Sequence, residues 1–525
     1  MASEKKKRSK VTSERKVKTT AIRHIEIMDT TLRDGEQTSG VSFSAQEKLT
    51  IAQLLLTEVK VNRIEIASAR VSEGEFKAVK AITNWAKANG HIHKVEVLTF
   101  VDGDISINWM KKAGAKVMNL LTKGSLNHLT HQLKKKPEEH FREVGNVIKL
   151  ASKNGIDVNI YLEDWSNGMR HSKDYVLQYI DFLATQPIKR LLLPDTLGIL
   201  TPTETFEFLS EIVNRYPTLH IDFHGHNDYD LSVANALEAV KAGVNGLHLT
   251  INGMGERAGN TPLESTVAVL NDFAKNVTTS VNEKALYKVS KLVEAFSGFR
   301  VSPSKPIVGE NVFTQTAGIH ADGDKKKGLY YNDLMPERFG RKRKYALGKT
   351  SGKANIENNL KQLGIQLSDE DLKKITQRII ELGDQKETVT QDDLPYIISD
   401  VLDSSSITEK VKVENYVLTH SKDMRPSTTI KLCFQDGSII EEHSQGDGQY
   451  DAFMNALRKI YNKKKWKLAE LADYVVRIPP GGNSDALCET IIIWQHEGRE
   501  FTTTGLDSDQ TVAAIKATTK MLNLI

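Results

Sequence analysis

Cysteine is nearly absent from this sequence of 525 residues, which contains only Cys433 and Cys488. Two cysteines cannot build a framework of disulfide bonds or a metal site made of thiolates, and so low a content suits a reducing cytoplasm. Long apolar runs are missing as well, because no stretch approaches the roughly 18 apolar residues that a membrane-spanning helix needs. We therefore expect a cytoplasmic protein with no membrane partner.

Three common signatures of enzymes are missing too. The sequence contains no phosphate-binding P-loop and no nucleophile elbow. A glycine-rich stretch occurs at residues 253–259, but its spacing does not fit a dinucleotide fingerprint, and it follows the last predicted strand of its region instead of the first. None of these three chemistries is indicated by a local motif.

Positive charge is concentrated at the amino terminus. Residues 1–20 hold eight Lys or Arg and two Glu, which is a net charge of +6, so the rest of the chain carries −2 of the total of +4. We interpret this segment as a disordered basic tail, and binding to nucleic acid or anionic lipid is the alternative. It lacks the apolar core and cleavage pattern of a secretory signal. The remainder has no basic excess, so we expect no nucleic-acid partner.

Short β-type runs alternate with helical stretches from residue 24 to about residue 251. Several runs are almost entirely apolar, as strands covered on both faces should be. Capping boxes, formed by Ser44 with Glu47 and by Thr201 with Glu204, predict the starts of two helices. Eight such units predict an α/β fold, a (β/α)8 TIM barrel, although a doubly wound open sheet uses the same alternation. The predicted strands are residues 24–29, 63–67, 94–100, 117–121, 158–163, 190–195, 220–226 and 246–251.

This alternation ends near residue 300. We predict a barrel at residues 21–300, helical linker subdomains at 301–405 and a separate α+β domain at 406–525. The last region contains two similar strand–helix units, which run from residue 438 through GDGQYD to residue 460 and from residue 500 through GLDSDQ to residue 522. Such a repeat predicts a small domain with a pseudo-twofold axis.

Polar side chains collect at the ends of the predicted strands, where the active site of a TIM barrel lies. His224 and His226 are two residues apart on a strand, so both imidazoles face the same side. With Asp34 from a neighbouring strand, they predict a site of two histidines and one carboxylate for a divalent cation. Non-haem iron oxygenases use the same ligands, but the βα alternation argues against their usual fold. The polar strand ends are Arg33, Asp34, Glu163, Asp195, Thr196, His224, His226, Asn252 and Asn260.

An open, oxygen-rich metal site suits a 2-oxo acid, because its carboxylate and keto oxygen can chelate the cation, which then polarises the carbonyl. Arg33 would stabilise a developing enolate or alkoxide oxygen, or instead form a buried ion pair that holds the first loop. Glu163 would bind substrate or relay a proton, or instead orient a metal ligand. Thr196 would hydrogen-bond the carboxylate of the 2-oxo acid, or instead cap a helix.

The segment DTTLRDGEQ at residues 29–37, together with FHGHND and GERAGN, resembles the signature of the DRE-TIM metallolyases. This superfamily includes 2-isopropylmalate, homocitrate and citramalate synthases and HMG-CoA lyase, and the resemblance covers nearly the whole chain after the tail. YLEDWSNG, LLLPDTLG and GDGQYDAFMNAL resemble the citramalate synthases that carry a C-terminal regulatory domain. The resemblance implies an acyltransferase that joins acetyl-CoA to pyruvate to give (R)-citramalate and CoA, in the pyruvate route to isoleucine.

The resemblance also implies roles for individual residues. Arg33 would polarise the keto group, Thr196 would help to hold the substrate, and Glu163 would act near the acetyl-CoA methyl group. His320 in the HADGDKK loop would assist proton abstraction, with a tyrosine nearby, contributed across a homodimer. That tyrosine is Tyr330 in a register on citramalate synthases and Tyr331 in one on isopropylmalate synthases. The metal, Mg2+ or Mn2+ more than Zn2+, would be bound by Asp34, His224, His226 and Asn260.

Substrate choice would depend on Leu98, Leu121 and Tyr161, which match the apolar pocket of citramalate synthases. They would accommodate the methyl group of pyruvate and crowd a branched chain, or they are simply core residues. The last domain resembles the family's allosteric domain, which implies isoleucine as an effector, or leucine in an isopropylmalate route. The candidates for that pocket are Tyr450, Asp451, Pro479 and Gly481.

Some alternatives to this function keep the condensation chemistry, and others discard it. The same condensation on 3-methyl-2-oxobutanoate would make the chain a 2-isopropylmalate synthase, and on 2-oxoglutarate a homocitrate synthase. A lyase of the superfamily usually lacks the long C-terminal extension. A binding protein with an inactive barrel is disfavoured, because Arg33, Asp34, His224 and His226 are all present.

Overall fold

The structure is a computed structural model that describes residues 22–316, 329, 332–363, 365–384, 389, 391–402, 410–477 and 488–525. The chain divides into two compact units. The first comprises the residues up to Val312 together with Asn332–Lys342, and the second comprises Phe313–Tyr331 and Arg343–Ile525. The predicted linker region, residues 301–405, is therefore divided between the two units. The predicted basic tail, residues 1–20, lies outside the described residues.

Eight parallel strands close into a barrel in the first unit, and the last strand pairs with the first. This arrangement confirms the predicted TIM barrel, with all eight predicted strands present and their ends shifted by one or two residues in most cases. The strands are β1 Glu26–Asp29, β2 Arg63–Ser68, β3 Val95–Phe100, β4 Val117–Lys123, β5 Asp157–Glu163, β6 Arg190–Asp195, β7 Ile221–Gly225 and β8 Gly246–Leu249.

Helices follow the strands and cover the outside of the barrel. Both predicted capping boxes are formed, by Ser44 with Glu47 and by Thr201 with Glu204. The helices of this unit are α1 Ala45–Leu54, α2 Glu73–Ala88, α3 Ile105–Ala113, α4 Pro137–Lys153, α5 Trp165–His171, α6 Lys173–Leu183, α7 Pro202–Arg215, α8 Ser232–Ala242, α9 Leu263–Phe273 and α10 Leu286–Ser297.

Shorter elements connect these strands and helices. Two parallel pairs of two-residue strands join Arg23–His24 to Val277–Thr278 and Thr314–Gln315 to Lys344–Tyr345. Single helical turns occur at Gly35–Gln37, Leu55–Val59, Ile92–Lys94, Leu126–His128, Leu129–Leu133, Ile251–Gly253, Glu283–Ala285 and Pro336–Phe339, and in the second unit at Gln391–Asp393. Within the described ranges, no helix combines the length and the apolar character needed to cross a bilayer.

The interior of the barrel holds charged side chains. Arg63 on β2 donates to Glu96 at 2.9 Å and to Glu26 at 3.0 Å, and it also pairs with Asp222 on β7. Strands β2 and β7 are not neighbours in the sheet, so their side chains can meet only across the barrel axis. We call these four residues the amino-end network, because they lie toward the strand starts. It fills the barrel beneath the site described below.

The second unit contains two copies of a strand–strand–strand–helix motif. Each copy is a three-stranded antiparallel sheet followed by one helix. The predicted repeat is therefore present and larger than predicted, since each copy has two more strands. The first copy is β9 Val411–Ser421, β10 Met424–Phe434, β11 Ile439–Gln445 and α14 Gln449–Lys464, and the second is β12 Glu470–Arg477, β13 Cys488–His496, β14 Arg499–Asp507 and α15 Gln510–Leu524.

Apolar cores hold this second unit together. Phe453 from the first copy and Trp494 from the second, both fully buried, belong to one continuous core, so the two copies stabilise each other. A second core, which includes Ile375 and Leu394, packs three further helices. These helices are α11 Lys353–Leu363, α12 Asp369–Asp384 and α13 Leu394–Leu402.

Candidate active site and metal centre

Two histidines and an aspartate meet at the carboxyl end of the barrel. Asp34 follows β1, His224 lies on β7, and His226 directly follows that strand. His224 Nε2 lies 3.3 Å from Asp34 Oδ2 and 3.3 Å from His226 Nε2, and all three side chains are buried. Adjacent ligands of an octahedral Mg2+ lie roughly 3 Å apart, because each metal–ligand distance is about 2.1 Å. The predicted ligands therefore come together at a spacing that fits one cation.

Local backbone geometry explains how these side chains converge. The Thr30 carbonyl oxygen accepts hydrogen bonds from the N–H groups of Asp34 at 2.9 Å and Gly35 at 3.1 Å, so the chain turns sharply after β1. Gly225 separates the histidines, and a Cβ there would lie 3.0 Å from Thr261 Oγ1. The alternation of side chains along β7 then places both imidazoles on the inner side.

The glycine-rich stretch after β8 wraps around Asn260. A Cβ on Gly255 would lie 2.2 Å from Asn260 Nδ2, and Gly259 adopts a φ of +91°, which L side chains rarely reach. The Asn260 amide donates to the Met254 carbonyl oxygen at 3.1 Å, and Asn260 bridges to His226 through the backbone. These glycines therefore allow close packing around an amide beside the metal ligands. We call Asp34, His224, His226 and Asn260 the metal cluster.

Buried atoms without partners mark the metal cluster. Buried polar atoms are nearly always paired in folded proteins, so several unpaired ones in one place indicate a missing ligand or ion. Oxygen donors with imidazole nitrogens are a donor set that suits a divalent cation, and the residues therefore fit one. Among the described residues, the cluster atoms with no hydrogen-bond partner are Asp34 Oδ1, His224 Nδ1, His226 Nδ1 and Asn260 Oδ1.

Burial and neighbouring charges set the ionisation of the three titratable ligands. Burial alone would raise the pKa of Asp34, but Arg33 and the imidazoles of His224 and His226 hold that pKa well below its usual range. Burial lowers the pKa of both histidines. At pH 7 the aspartate is therefore a carboxylate and the histidines are neutral, which are the states that bind a metal ion.

Arg33 is a buried ion-pair partner that also reaches the site. Its Nη1 donates to Asp34 Oδ2 at 2.9 Å, and its Nη2 lies 2.6 Å from Glu65 Oε2. The same Nη2 donates to the Tyr161 hydroxyl oxygen at 3.4 Å. The guanidinium thus forms the buried ion pair that was one sequence-based alternative, and these contacts also place its charge beside the metal ligands.

Glu65 is a site residue that the sequence reasoning missed. It is fully buried on β2, and its Oε2 accepts from the Thr30 hydroxyl at 2.8 Å and from Arg33. Its Oε1 accepts from Asn119 Nδ2 at 2.7 Å. The available signal is a carboxylate within the apolar strand RIEIAS, because a buried charge is too costly to keep without a partner.

The three predicted pocket residues meet in one apolar cluster. Leu98, Leu121 and Tyr161 pack together, and Leu192 on β6 joins them. The Tyr161 ring lies edge-on to the His224 ring, with centroids 6.1 Å apart. The cluster therefore lies next to a candidate metal ligand. Leu192 was missed because a leucine within an apolar strand carries no local signal.

Glu163 and Thr196 lie at the ends of β5 and β6. The Glu163 carboxylate pairs with Lys123 Nζ at the end of β4, a contact that the sequence reasoning did not foresee. Thr196 Oγ1 accepts from the Asp164 backbone N–H at 2.9 Å, just before α5, so its hydroxyl proton can serve another acceptor. A cavity of about 400 Å3 opens beside the carboxylate, lined by Asn127, His128, His131, Gln132 and Glu163.

The predicted effector residues are only partly described. The Tyr450 hydroxyl lies 2.8 Å from Thr518 Oγ1, and its ring centroid lies 5.4 Å from that of Tyr474, so it links the two copies of the repeat. Asp451 is half-buried, and its Oδ2 accepts from the Asp447 N–H at 3.0 Å. The remaining predicted site residues lie outside the described residues, namely His320, Tyr330 with its alternative Tyr331, Pro479 and Gly481.

Three family models match the chain in succession. The HMGL-like model matches residues 24–293, the homocitrate synthase post-HMGL domain-like model residues 307–387, and the LeuA allosteric (dimerisation) domain residues 388–525. The chain belongs to the HMGL-like family, in the DRE-TIM branch that contains the 2-isopropylmalate synthases. It is an acetyl-CoA-dependent condensing enzyme, a transferase.

Similar proteins carry two names. An (R)-citramalate synthase from Methanocaldococcus jannaschii is 32% identical over 504 residues, which covers 95% of this chain and 99% of its own. A 2-isopropylmalate synthase from the same organism is 33% identical over 504 residues, which covers 95% and 94%. The solved HMG-CoA lyase of Bacillus subtilis matches 55% of this chain and 98% of its own, with 20% identity and a TM-score of 0.48. The similar identities of the two synthases do not distinguish their substrates.

Proposed function

We propose that the enzyme condenses acetyl-CoA with pyruvate and water to give (R)-citramalate and CoA. The observation that carries this proposal is the apolar cluster of Leu98, Leu121, Tyr161 and Leu192 beside His224. Four bulky side chains leave room for a methyl group and crowd a branched chain. One methylene in such a pocket changes discrimination by about 1–3 kcal/mol, so weak turnover of the next larger acid is expected.

The metal cluster would hold Mg2+ or Mn2+. The Asn260 oxygen and the open positions favour an oxygen-rich, six-coordinate ion over tetrahedral Zn2+. When bound, the cation supplies Lewis acidity toward the keto oxygen of the 2-oxo acid. Asp34, His224 and His226 are already in the protonation states that this binding requires.

Arg33 supplies a fixed positive charge for the bond-forming step. As the methyl carbon of acetyl-CoA bonds to the keto carbon of pyruvate, the keto oxygen becomes an alkoxide. Glu65 holds the guanidinium 2.6 Å away, so the charge is in place before the reaction begins. Thr196, whose hydroxyl proton is available, would hydrogen-bond the carboxylate of pyruvate.

A base near the thioester must remove a proton from the acetyl-CoA methyl group. Glu163 faces a cavity of about 400 Å3, so we assign it to this part of the reaction as a relay through a water molecule. We assign proton abstraction to His320, assisted by Tyr330, from a second copy of the chain; this assignment rests on the resemblance. Hydrolysis of the citramalyl thioester then releases CoA.

The LeuA allosteric (dimerisation) match supports a homodimer whose second unit binds an amino acid. We assign isoleucine as the effector, because citramalate leads toward isoleucine, and Tyr450, Asp451, Pro479 and Gly481 as its pocket. Full activity in saturating isoleucine would contradict this. Both cysteines lie in the described part of the chain and are free thiols, which supports a reducing compartment such as the cytoplasm.

CoA release by the purified enzyme tests the proposed function. Acetyl-CoA and Mn2+ are supplied with pyruvate, 3-methyl-2-oxobutanoate or 2-oxoglutarate, and kcat/KM is compared. We expect pyruvate to be preferred over the branched acid by at least about tenfold. Preference for the branched acid would contradict the proposal and favour a 2-isopropylmalate synthase, and preference for 2-oxoglutarate would favour a homocitrate synthase.

Pocket variants test the reason for the preference. Leu98→Ala combined with Leu121→Ala enlarges the pocket, so the ratio of pyruvate to 3-methyl-2-oxobutanoate should fall by about tenfold or more. Leu183→Ala combined with Leu209→Ala is the matched control, because it removes the same volume from two fully buried positions, on α6 and α7. An equal fall of the ratio in the control would show that the preference for pyruvate does not depend on this pocket.

A further inference from the structure

A chain of three buried polar side chains connects the amino-end network to the apolar pocket. Asp222 Oδ2 lies 3.2 Å from His248 Nε2, and His248 Nδ1 lies 2.8 Å from the Tyr161 hydroxyl oxygen. The three residues come from β7, β8 and β5, and none is more than 3% exposed. His248 is therefore the link between a fixed carboxylate and the pocket wall.

The direction of each hydrogen bond follows from the donors and acceptors. Asp222 forms a buried ion pair with Arg63 in the amino-end network, so its carboxylate only accepts and His248 carries a proton on Nε2. The Tyr161 oxygen accepts from Arg33 Nη2 at 3.4 Å, so its own proton goes to His248 Nδ1. A proton on Nδ1 would instead leave the buried phenol proton without an acceptor.

The same contacts determine what Tyr161 presents to the substrate. Its hydroxyl lies between His248 and Arg33, while its ring packs with Leu98 and Leu192 and stands edge-on to His224. A hydroxyl that donates to an imidazole and accepts from a guanidinium has no proton left for a ligand. The ring is then an apolar wall although the residue is a tyrosine.

We propose that His248 is a positioning residue that turns the Tyr161 hydroxyl away from the 2-oxo acid, so that the pocket selects a small apolar substituent and rejects one that carries a hydroxyl. The inference rests on the proposed function and deepens it, because it names the class of side chain that the site accepts. His248 acts through Tyr161 and touches no reacting atom.

The test compares pyruvate with 3-hydroxypyruvate, which adds one hydroxyl to the methyl group. His248→Leu removes the acceptor and frees the phenol proton for the pocket, so the ratio of kcat/KM for pyruvate over 3-hydroxypyruvate should fall by about tenfold. The change should appear in KM more than in kcat, and more for 3-hydroxypyruvate than for pyruvate. His248→Gln can still accept from the phenol and donate to Asp222, so it should restore most of the ratio.

Removal of the phenol hydroxyl provides the decisive control. Tyr161→Phe should keep the wild-type ratio within about twofold, because the hydroxyl does not face the substrate, and His248→Leu should have no further effect on the ratio in that background. A merely structural role of His248 would lower turnover of both acids equally in both backgrounds. An unchanged ratio in His248→Leu, or an equal fall in the Tyr161→Phe background, would overturn the proposal.

Two further outcomes are distinguished by the same experiment. If wild type releases no CoA with pyruvate, the proposed function fails. The 2-oxo acid that the enzyme does use then replaces pyruvate, and its KM is measured for the two single variants and the double variant. Absence of coupling between positions 161 and 248 would then overturn the positioning role. If His248→Leu does not fold, Tyr161→Phe alone remains decisive, because a loss of the ratio there would show that the hydroxyl faces the substrate.

Discussion

Charged side chains are arranged in two different ways inside the barrel. In the amino-end network, Arg63 reaches Glu26, Glu96 and Asp222, so the central positive charge is surrounded by partners. In the described part of the chain, four buried atoms of the metal cluster have no hydrogen-bond partner, whereas in the amino-end network only Glu96 Oε2 has none. Paired buried charges hold a fold together, whereas unpaired buried polar atoms persist where a ligand completes them. The difference assigns stability to one end and chemistry to the other.

The largest expected effect comes from a substitution in the metal cluster that leaves the amino-end network unchanged. Asp34→Asn removes a charged ligand, so CoA release should fall by more than about 100-fold and Mn2+ binding should be lost. The free energy of unfolding without metal should fall less than in a variant of Arg63, because Arg33 loses Asp34 but keeps its ion pair with Glu65. Asp174→Asn on the exposed face of α6 is the control. Turnover by a metal-free Asp34→Asn enzyme would contradict the assignment.

The second prediction concerns a substitution in the amino-end network that leaves the metal cluster unchanged. Arg63→Met removes the central positive charge from among three carboxylates, so the free energy of unfolding should fall by about 3–5 kcal/mol. Urea denaturation measures it. Arg190→Met is the matched control, because Arg190 also pairs with Glu26 but is 20% exposed, and it should cost less than about 1 kcal/mol. Equal losses in the two variants would remove the distinction between the ends.

His140 belongs to neither end, and burial is the largest influence on its titration. Burial lowers its pKa to about 4, whereas the unfolded chain takes up the proton near pH 6.5. The contribution of His140 to the free energy of unfolding should therefore be fully present above pH 6.5. It should be lost as the pH decreases toward 4, by up to about 3 kcal/mol. His140→Gln removes that contribution, so its free energy of unfolding should approach or pass that of wild type as the pH falls. Parallel curves from pH 7 to 4 would refute this.

The smallest effect compares how strongly two residues of the metal cluster contribute to Mn2+ binding. Asn260 is a neutral amide, so Asn260→Ala should weaken Mn2+ binding by about 10- to 100-fold and leave it detectable. Asn108→Ala at an exposed position is the control. Loss of binding as complete as in Asp34→Asn would make Asn260 an essential ligand, and unchanged affinity would remove it from the cluster.

The barrel could be predicted from sequence because its signals are local. Apolar runs mark the eight strands, and the Ser44 and Thr201 boxes mark helix starts that depend on a few neighbouring residues. The histidine pair was found for the same reason, since alternation along β7 places His224 and His226 together. The prediction that Asp34 joins them required only that β1 pairs with β8 in a closed barrel.

The missed residues depend on contacts across the barrel. Glu65 and His248 lie in short strands, and their partners are 32 and 87 positions away in the sequence, so no local pattern identifies those partners. The first strand of the C-terminal repeat, β9, is mostly exposed and lacks a continuous apolar face, which explains why the repeat was predicted too small. Tertiary pairing carries this information, and it becomes visible only in the folded chain.

Titration of the wild-type enzyme with pyruvate, without acetyl-CoA, tests the central claim most directly. The protein is first freed of metal with a chelator, and binding is measured by calorimetry with and without Mn2+. We predict one Mn2+ per chain at the metal cluster, and pyruvate binding that requires it and disappears in Asp34→Asn. Pyruvate binding of equal strength without Mn2+, or Mn2+ binding that survives Asp34→Asn unchanged, would contradict the placement of the chemistry at the metal cluster.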